Sequence, residues 1–171
     1  MSLDNTKLLD FLGEVDKELN RKIIVVAVGG TAMTLLNAKP STIDVDFTIP
    51  SEYYSEFETA KKIVQPGFEV HLFRDGAVFI NLLPEDYLKR SSLIETKLKN
   101  IELRALHPVD IIVTKTGRLD GRDEQDIESC IKKFNIQKNE IIKRASEMGY
   151  AGNDDVFEIN LQTILKKFFQ K

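Results

Sequence analysis

The sequence predicts an α/β (α+β) protein: a mixed sheet flanked by helices, followed by a C-terminal part made of helices alone. Three observations carry this. The run Ile23 to Val28 is continuously apolar, as a buried strand requires. Strand-like and helix-like segments then alternate as far as about Leu106. From Pro108 onward only helical patterns remain. Together they suggest a sheet domain over residues 1–107 and a helical part over 108–171 packed on it.

Leu3 to Leu19 reads as an amphipathic helix, with Leu8, Leu9, Leu12, Val15 and Leu19 at helical spacing. Asn20-Arg21-Lys22 leads into the first strand, Ile23 to Val28. Gly29-Gly30 ends it, either as a tight turn before a helix or as a backbone that a phosphate can approach closely. Thr31 to Ala38 reads as a helix, stopped by Lys39-Pro40 because proline lacks an N–H and disfavours helix at the residue before it. A second strand begins near Thr42 and carries Asp44 and Asp46. Side chains at i and i+2 of a strand share a face, so the two carboxylates aim together while Ile43, Val45 and Phe47 point the other way. Unpaired carboxylates side by side repel, and a divalent cation relieves them.

Pro50-Ser51-Glu52 reads as a helix start with Ser51 as cap, Tyr53 to Val64 as the helix, and Pro66-Gly67 as its end. Phe68 to Phe73 alternates like a strand, with Glu69 and His71 on a solvated hairpin face. Arg74-Asp75-Gly76 signals a hairpin and Ala77 to Leu83 its returning strand, closed by Pro84. A short helical turn over Glu85 to Arg90 follows, then a strand pair, Leu93 to Lys97 and Ile101 to Leu106. Pro108 suits a first helical position and Asp110 its electropositive first turn. That helix runs to about Thr116, and Gly117 to Gly121 breaks it. Asp123 to Phe134, Lys138 to Met148 and Asp154 to Phe169 are three more helices. The stripe Leu161, Ile164, Leu165, Phe168 and Phe169 reads as the core-facing side of the last one.

Composition narrows the function. A chain of 171 residues, 42% apolar, can build a real core. A net charge of −3 argues against gripping nucleic acid through overall charge, while leaving room for a local basic patch. Cys130 is the single cysteine, which excludes an internal disulfide or thiolate cluster and fits a reducing cytoplasm. His71 and His107 are not spaced as a metal pair. The first residues lack signal-peptide character and no apolar run reaches membrane-spanning length, so a cytoplasmic, membrane-free protein is expected.

Gly29-Gly30, a gap of 13 residues (31 to 43), then Asp44-Val45-Asp46-Phe47 resembles the signature of the polymerase-beta-like nucleotidyltransferase superfamily. A later segment runs from Leu106 to Lys115, then Arg118, then Arg122-Asp123-Glu124-Gln125-Asp126. It is similar to one in nucleotidyltransferases of abortive-infection and toxin–antitoxin systems, where a helix carries a Lys and an Arg-Asp-x-x-Asp motif follows. The resemblance covers residues 23 to about 130, and the last 40 residues match no motif.

The resemblance implies a mixed twisted sheet of the nucleotidyltransferase type. It implies transfer of a nucleoside monophosphate from an NTP, with ATP the first expectation, to an acceptor. Asp44 and Asp46 would hold Mg2+ or Mn2+. Gly29 and Gly30 would hold the triphosphate, with the Thr31 hydroxyl as a further donor. Ile111, Lys115 and Arg118 share one helical face, so Lys115 would offer phosphate a point charge, and Arg118 or Arg122 a bidentate fork. Asp123 and Asp126 read as orienting those cations or capping the next helix.

In one place the chain departs from the pattern. Catalytic relatives carry a third, nucleophile-activating carboxylate in an apolar-Asp-apolar-apolar strand followed by Pro. Here that strand reads Ile80-Asn81-Leu82-Leu83-Pro84, so the third catalytic position is Asn81. An amide carries no charge and cannot act as a base. Glu69 could substitute if it faced the same way. The second reading is therefore the same fold without catalysis, a nucleotide-binding or toxin–antitoxin-like module. The acceptor stays open among an RNA end, a protein hydroxyl and a small molecule such as an aminoglycoside. A cognate partner protein and a homodimer are open as well.

Overall fold

Strand β1 (Ile23–Ala27) runs through the middle of a five-stranded mixed sheet and is its most buried strand together with β2 (Val45–Ile49). The computed structural model describes residues 1–170. Sheet order is β3-β2-β1-β7-β6, with β3 spanning Val70–Arg74, β6 Ser92–Leu93 and β7 Ile101–Ala105. β1 is antiparallel to β2 and parallel to β7, while β2 and β3 run parallel. A central position between two partners explains why Ile23 to Val28 has no polar alternation.

Helix α1 (Asn5–Lys17) starts where the Asp4 carboxylate accepts from the Lys7 backbone N–H at 3.0 Å. Its inner face carries Leu8, Phe11, Leu12 and Val15. At its far end the buried Asp16 carboxylate accepts from the backbone N–H groups of Lys99, Asn100 and Ile101, at 3.0, 2.7 and 2.9 Å. Those bonds fix the entry of β7 beside β1. α2 (Gly29–Leu35) follows β1 directly, so both glycines lie inside the helix rather than before it. α3 (Ser51–Val64) begins one residue after Pro50, and Ser51 is not its cap. The Ser51 N–H and hydroxyl instead both donate to Asp75, which draws the start of α3 to the end of β3.

The region after β3 differs from a simple hairpin. Asp75 and Gly76 both adopt positive φ, and the chain leaves the main sheet. β4 (Ala77–Val78) and β5 (Asn81–Leu82) pair antiparallel with each other around Phe79-Ile80. A third strand, β8 (Gly149–Tyr150), comes from the C-terminal part and pairs antiparallel with β5. The short helix α4 (Tyr87–Arg90) leads to β6.

α5 (Pro108–Thr116) is buried along its whole length, packed by α2, α6 (Gly121–Phe134), α7 (Lys138–Glu147) and α8 (Asp154–Phe169). One continuous apolar core joins the sheet, α1 and these helices. No described helix is long and apolar enough to cross a membrane.

Candidate active site

The two glycines are required for different reasons. Gly29 sits at φ +54°, in the left-handed region that side chains other than glycine resist. Gly30 leaves no room, since a Cβ there would stand 2.6 Å from Thr42 Oγ1. Val28 donates its N–H to the Asp46 carbonyl at 3.1 Å, so the glycine turn lies against the strand that bears the acids. A Cβ on Gly29 would contact Asp46 Oδ2 at 3.7 Å.

Thr31 is fully buried and its hydroxyl is already engaged. It accepts from the Asp46 N–H at 3.0 Å and donates to the Asp44 carbonyl at 3.2 Å. Thr42 donates to the same carbonyl at 2.7 Å, and exchanges both backbone hydrogen bonds with Leu3. Thr31 therefore positions the two acids rather than facing the cavity as a phosphate donor. Asp44 lies just before β2 and is exposed; Asp46 lies within it and is only 5% exposed. Ile43, expected to point away from the acids with Val45 and Phe47, is exposed and lines the same cavity as Asp44 and Asp46.

The parallel pairing of β2 and β3 sets Asp46 opposite His71, whose Nδ1 lies 2.8 Å from Asp46 Oδ1. His71 is thus a partner of the acid pair rather than a solvated hairpin residue. Burial raises the Asp46 pKa despite this bond. Burial opposes a charged His71 ring, but the hydrogen bond and charge of Asp46 outweigh it and hold the imidazole above its ordinary pKa. Glu69 is largely exposed, 3.5 Å from His71 Nε2.

Across the cavity stands a cluster of charges from α5, the α5–α6 loop, α6 and the α2–β2 loop. Lys115 Nζ lies 3.3 Å from Asp123 and 2.9 Å from Asp126. Arg118 grips Asp123 with two nitrogens, at 2.7 and 2.8 Å. Lys39 reaches Asp126 at 3.3 Å. Asp120 caps α6, and it forms a reciprocal capping box with Asp123. Three cations (Lys39, Lys115, Arg118) are matched by three carboxylates (Asp120, Asp123, Asp126), the Arg118–Asp120 pair being the longest at 3.8 Å. Arg122 is exposed on the rim.

Asn81 is buried at 4% exposure beneath the same cavity. Its amide nitrogen donates to the carbonyls of Val78 and Thr114, at 3.1 and 3.0 Å. Two carbonyl partners fix which end is nitrogen, and Oδ1 is left buried without a hydrogen bond. The cavity, about 540 Å³, is lined by Gly29, Gly30, Asp44, Asp46, Asn81, Lys115, Arg118 and Arg122. The structure therefore brings Asp44, Asp46, Gly29, Gly30, Asn81, Lys115, Arg118 and Arg122 to one cavity, while Thr31 lies behind it and Glu69 is not among its lining residues. Lys39, His71 and Phe79 are additions. Lys39 reads in sequence only as a helix stop, and His71 only as half of an exposed alternation.

The donor set suits a hard cation held jointly with a ligand. Among the described residues no three His, Cys, Asp or Glu side chains cluster closely enough to cage a metal on their own. Asp44 and Asp46 would supply part of a magnesium shell, with phosphate oxygens the natural remainder.

A mixed sheet with a glycine turn at one strand end and paired acids on the next defines a nucleotidyltransferase fold. The chain belongs to the family described as "Nucleotidyltransferase of unknown function (DUF6036)", which matches residues 6–168. Two solved structures share the fold. An antigenic nucleotidyltransferase-like protein from Paracoccidioides brasiliensis superposes with a TM-score of 0.57 at 16% identity, covering 98% of this chain and 91% of that one. The antibiotic-resistance factor ANT(2'')-Ia superposes with a TM-score of 0.51 at 12% identity, covering 95% and 91%. No curated protein matches the chain.

Proposed function

We propose that this protein transfers a nucleoside monophosphate from an NTP, ATP in the first instance, to an acceptor in a metal-dependent reaction. One observation carries the reading: Asp44, Asp46, the Gly29-Gly30 turn and the Lys115/Arg118 cluster open into a single cavity. In the reaction an acceptor oxygen bonds to the α-phosphorus, the α–β phosphoanhydride bond breaks, and pyrophosphate leaves. Asp44 and Asp46 would hold Mg2+ or Mn2+ together with the triphosphate, and the ion supplies charge neutralisation and a lowered hydroxyl pKa.

The chain's own groups have separate tasks. Thr31 and Thr42 hold Asp44 by its carbonyl, and Thr31 holds Asp46 by its N–H. Gly29 and Gly30 keep side chains away from the triphosphate. Lys115, Lys39 and Arg118 present N–H donors to it, oriented by Asp123 and Asp126. Arg122 completes the cationic side from the rim.

A second reading is favoured by Asn81. Its amide ties β4 to α5, and no base stands where catalytic relatives have a carboxylate. On that reading the protein binds nucleotide without transferring it, as a module that works with a cognate partner. Calorimetric titration with ATP and Mg2+, followed by a transfer assay with labelled NTP, separates the two. Transfer supports the enzyme, and binding without transfer supports the module. Asp44→Ala and Asp46→Ala should each abolish metal-dependent binding. Unchanged binding in both variants would overturn either reading.

A further inference from the structure

Phe79 is not explained by folding. It occupies the β4–β5 turn at φ +54°, a conformation that disfavours a bulky side chain by about 1–2 kcal/mol. Its side chain is not buried in return, because Phe79 is 52% exposed. It lines the cavity that holds the acid pair and the cations, flanked by Ile80 at 49% and Ile43 at 58% exposure. Strain of this kind, retained by a ring that packs on Phe73 yet leaves half its surface open to the cavity, points to a task at a site.

The turn holds the ring firmly. Asn81 Nδ2 donates to the Val78 carbonyl on one side of it, and the Ala151 N–H donates to the Ile80 carbonyl at 2.9 Å on the other. The ring leans on Phe73, with centroids 4.8 Å apart and planes 57° from parallel, and lies 6.1 Å from His71. Arg118, part of the cation cluster, has its Cζ 6.0 Å from the ring centroid. A half-exposed aromatic ring on a hydrogen-bonded turn thus stands within one nucleotide's length of the charged part of the cavity.

We propose that Phe79 is the stacking platform for the nucleotide base, with Ile43 and Ile80 as its apolar margins. This rests on the nucleotide reading above. The nucleoside triphosphate is the one substrate in that reaction that joins a polyphosphate to a planar aromatic ring, and the cavity offers it a charged end and an aromatic end. Stacking on phenylalanine is tolerant of base identity, so purines should bind moderately better than pyrimidines.

The test compares Mg–ATP with Mg–tripolyphosphate, which keeps the phosphates and lacks the base. Both are titrated into the wild-type chain and into Phe79→Ala, Phe79→Trp and Phe79→Gly. Phe79→Ala should weaken ATP by about 5- to 150-fold and leave tripolyphosphate unchanged. Phe79→Trp should retain ATP. Phe79→Gly tolerates the positive φ, so it should lose less stability than Phe79→Ala while ATP affinity falls in both, a divergence that a purely structural role does not produce. If ATP affinity survives Phe79→Ala, or both ligands weaken equally, the platform is wrong and the nucleotide site stands. If neither ligand binds the wild-type chain, the nucleotide reading itself fails and the platform goes with it.

Discussion

Asn81 shows how one atom type decides what a position can do. Its nitrogen faces two backbone carbonyls, so Asn81→Asp would set a carboxylate against Val78 O and Thr114 O with no donor between them. That substitution should lower stability by about 1–3 kcal/mol in urea denaturation. The new carboxyl would have a raised folded-state pKa, so its penalty is absent below the unfolded carboxyl pKa and grows as pH rises through the folded value. Gly30→Ala tests the opposite wall. Its Cβ would collide with the Thr42 hydroxyl, and Thr42 can retreat only by releasing the Asp44 carbonyl. Mg–ATP binding should weaken along with stability. Adding Thr42→Ala should recover part of the lost stability, measured as a coupling energy in a double-mutant cycle. The acid pair and the glycines were legible in sequence because they lie within one strand–turn–helix–strand stretch. His71 was not, because its place depends on which strand pairs with β2 and in what register.

Among the elements, the α5–α6 joint concentrates the site's charge. Burial works against an ionised Asp123, but the hydrogen bond from Arg118 and the charge of Lys115 outweigh it and hold the carboxyl below its ordinary pKa. With a depressed folded-state pKa, its stabilising effect is present above the unfolded value of 3.8 and lost as pH falls through the folded one. Asp123→Asn should therefore flatten part of the acid limb in thermal melts below pH ~4. On the inner face of α6, burial pushes the Cys130 thiol up to about 12. A thiol reagent should label it only as fast as the protein unfolds, a rate that denaturant should accelerate. Helices and long strands were readable from periodicity, and α5 and α8 begin and end where the sequence indicates. The small sheet was unreadable. Strands of two residues have no period, and the Gly149-Tyr150 partner of β5 lies far along the chain.

At the scale of the molecule, Arg144 joins three helices from the inside. It is 1% exposed and bonds to Asp110 on α5, Asp86 at the start of α4 and Glu147 on its own helix. Arg144→Met leaves Asp110 buried without a counter-charge and should destabilise the protein by about 3–5 kcal/mol, with little dependence on salt. Replacing Asp110 by Leu in the same chain should restore much of that loss. Residues 149–150 have a different reach. They form the outer brace of the lip on which Asn81 and Phe79 sit, although nearly seventy positions separate them along the backbone. Trimming the protein behind Met148 would therefore remove that brace and loosen the rim of the acid cavity from far along the chain.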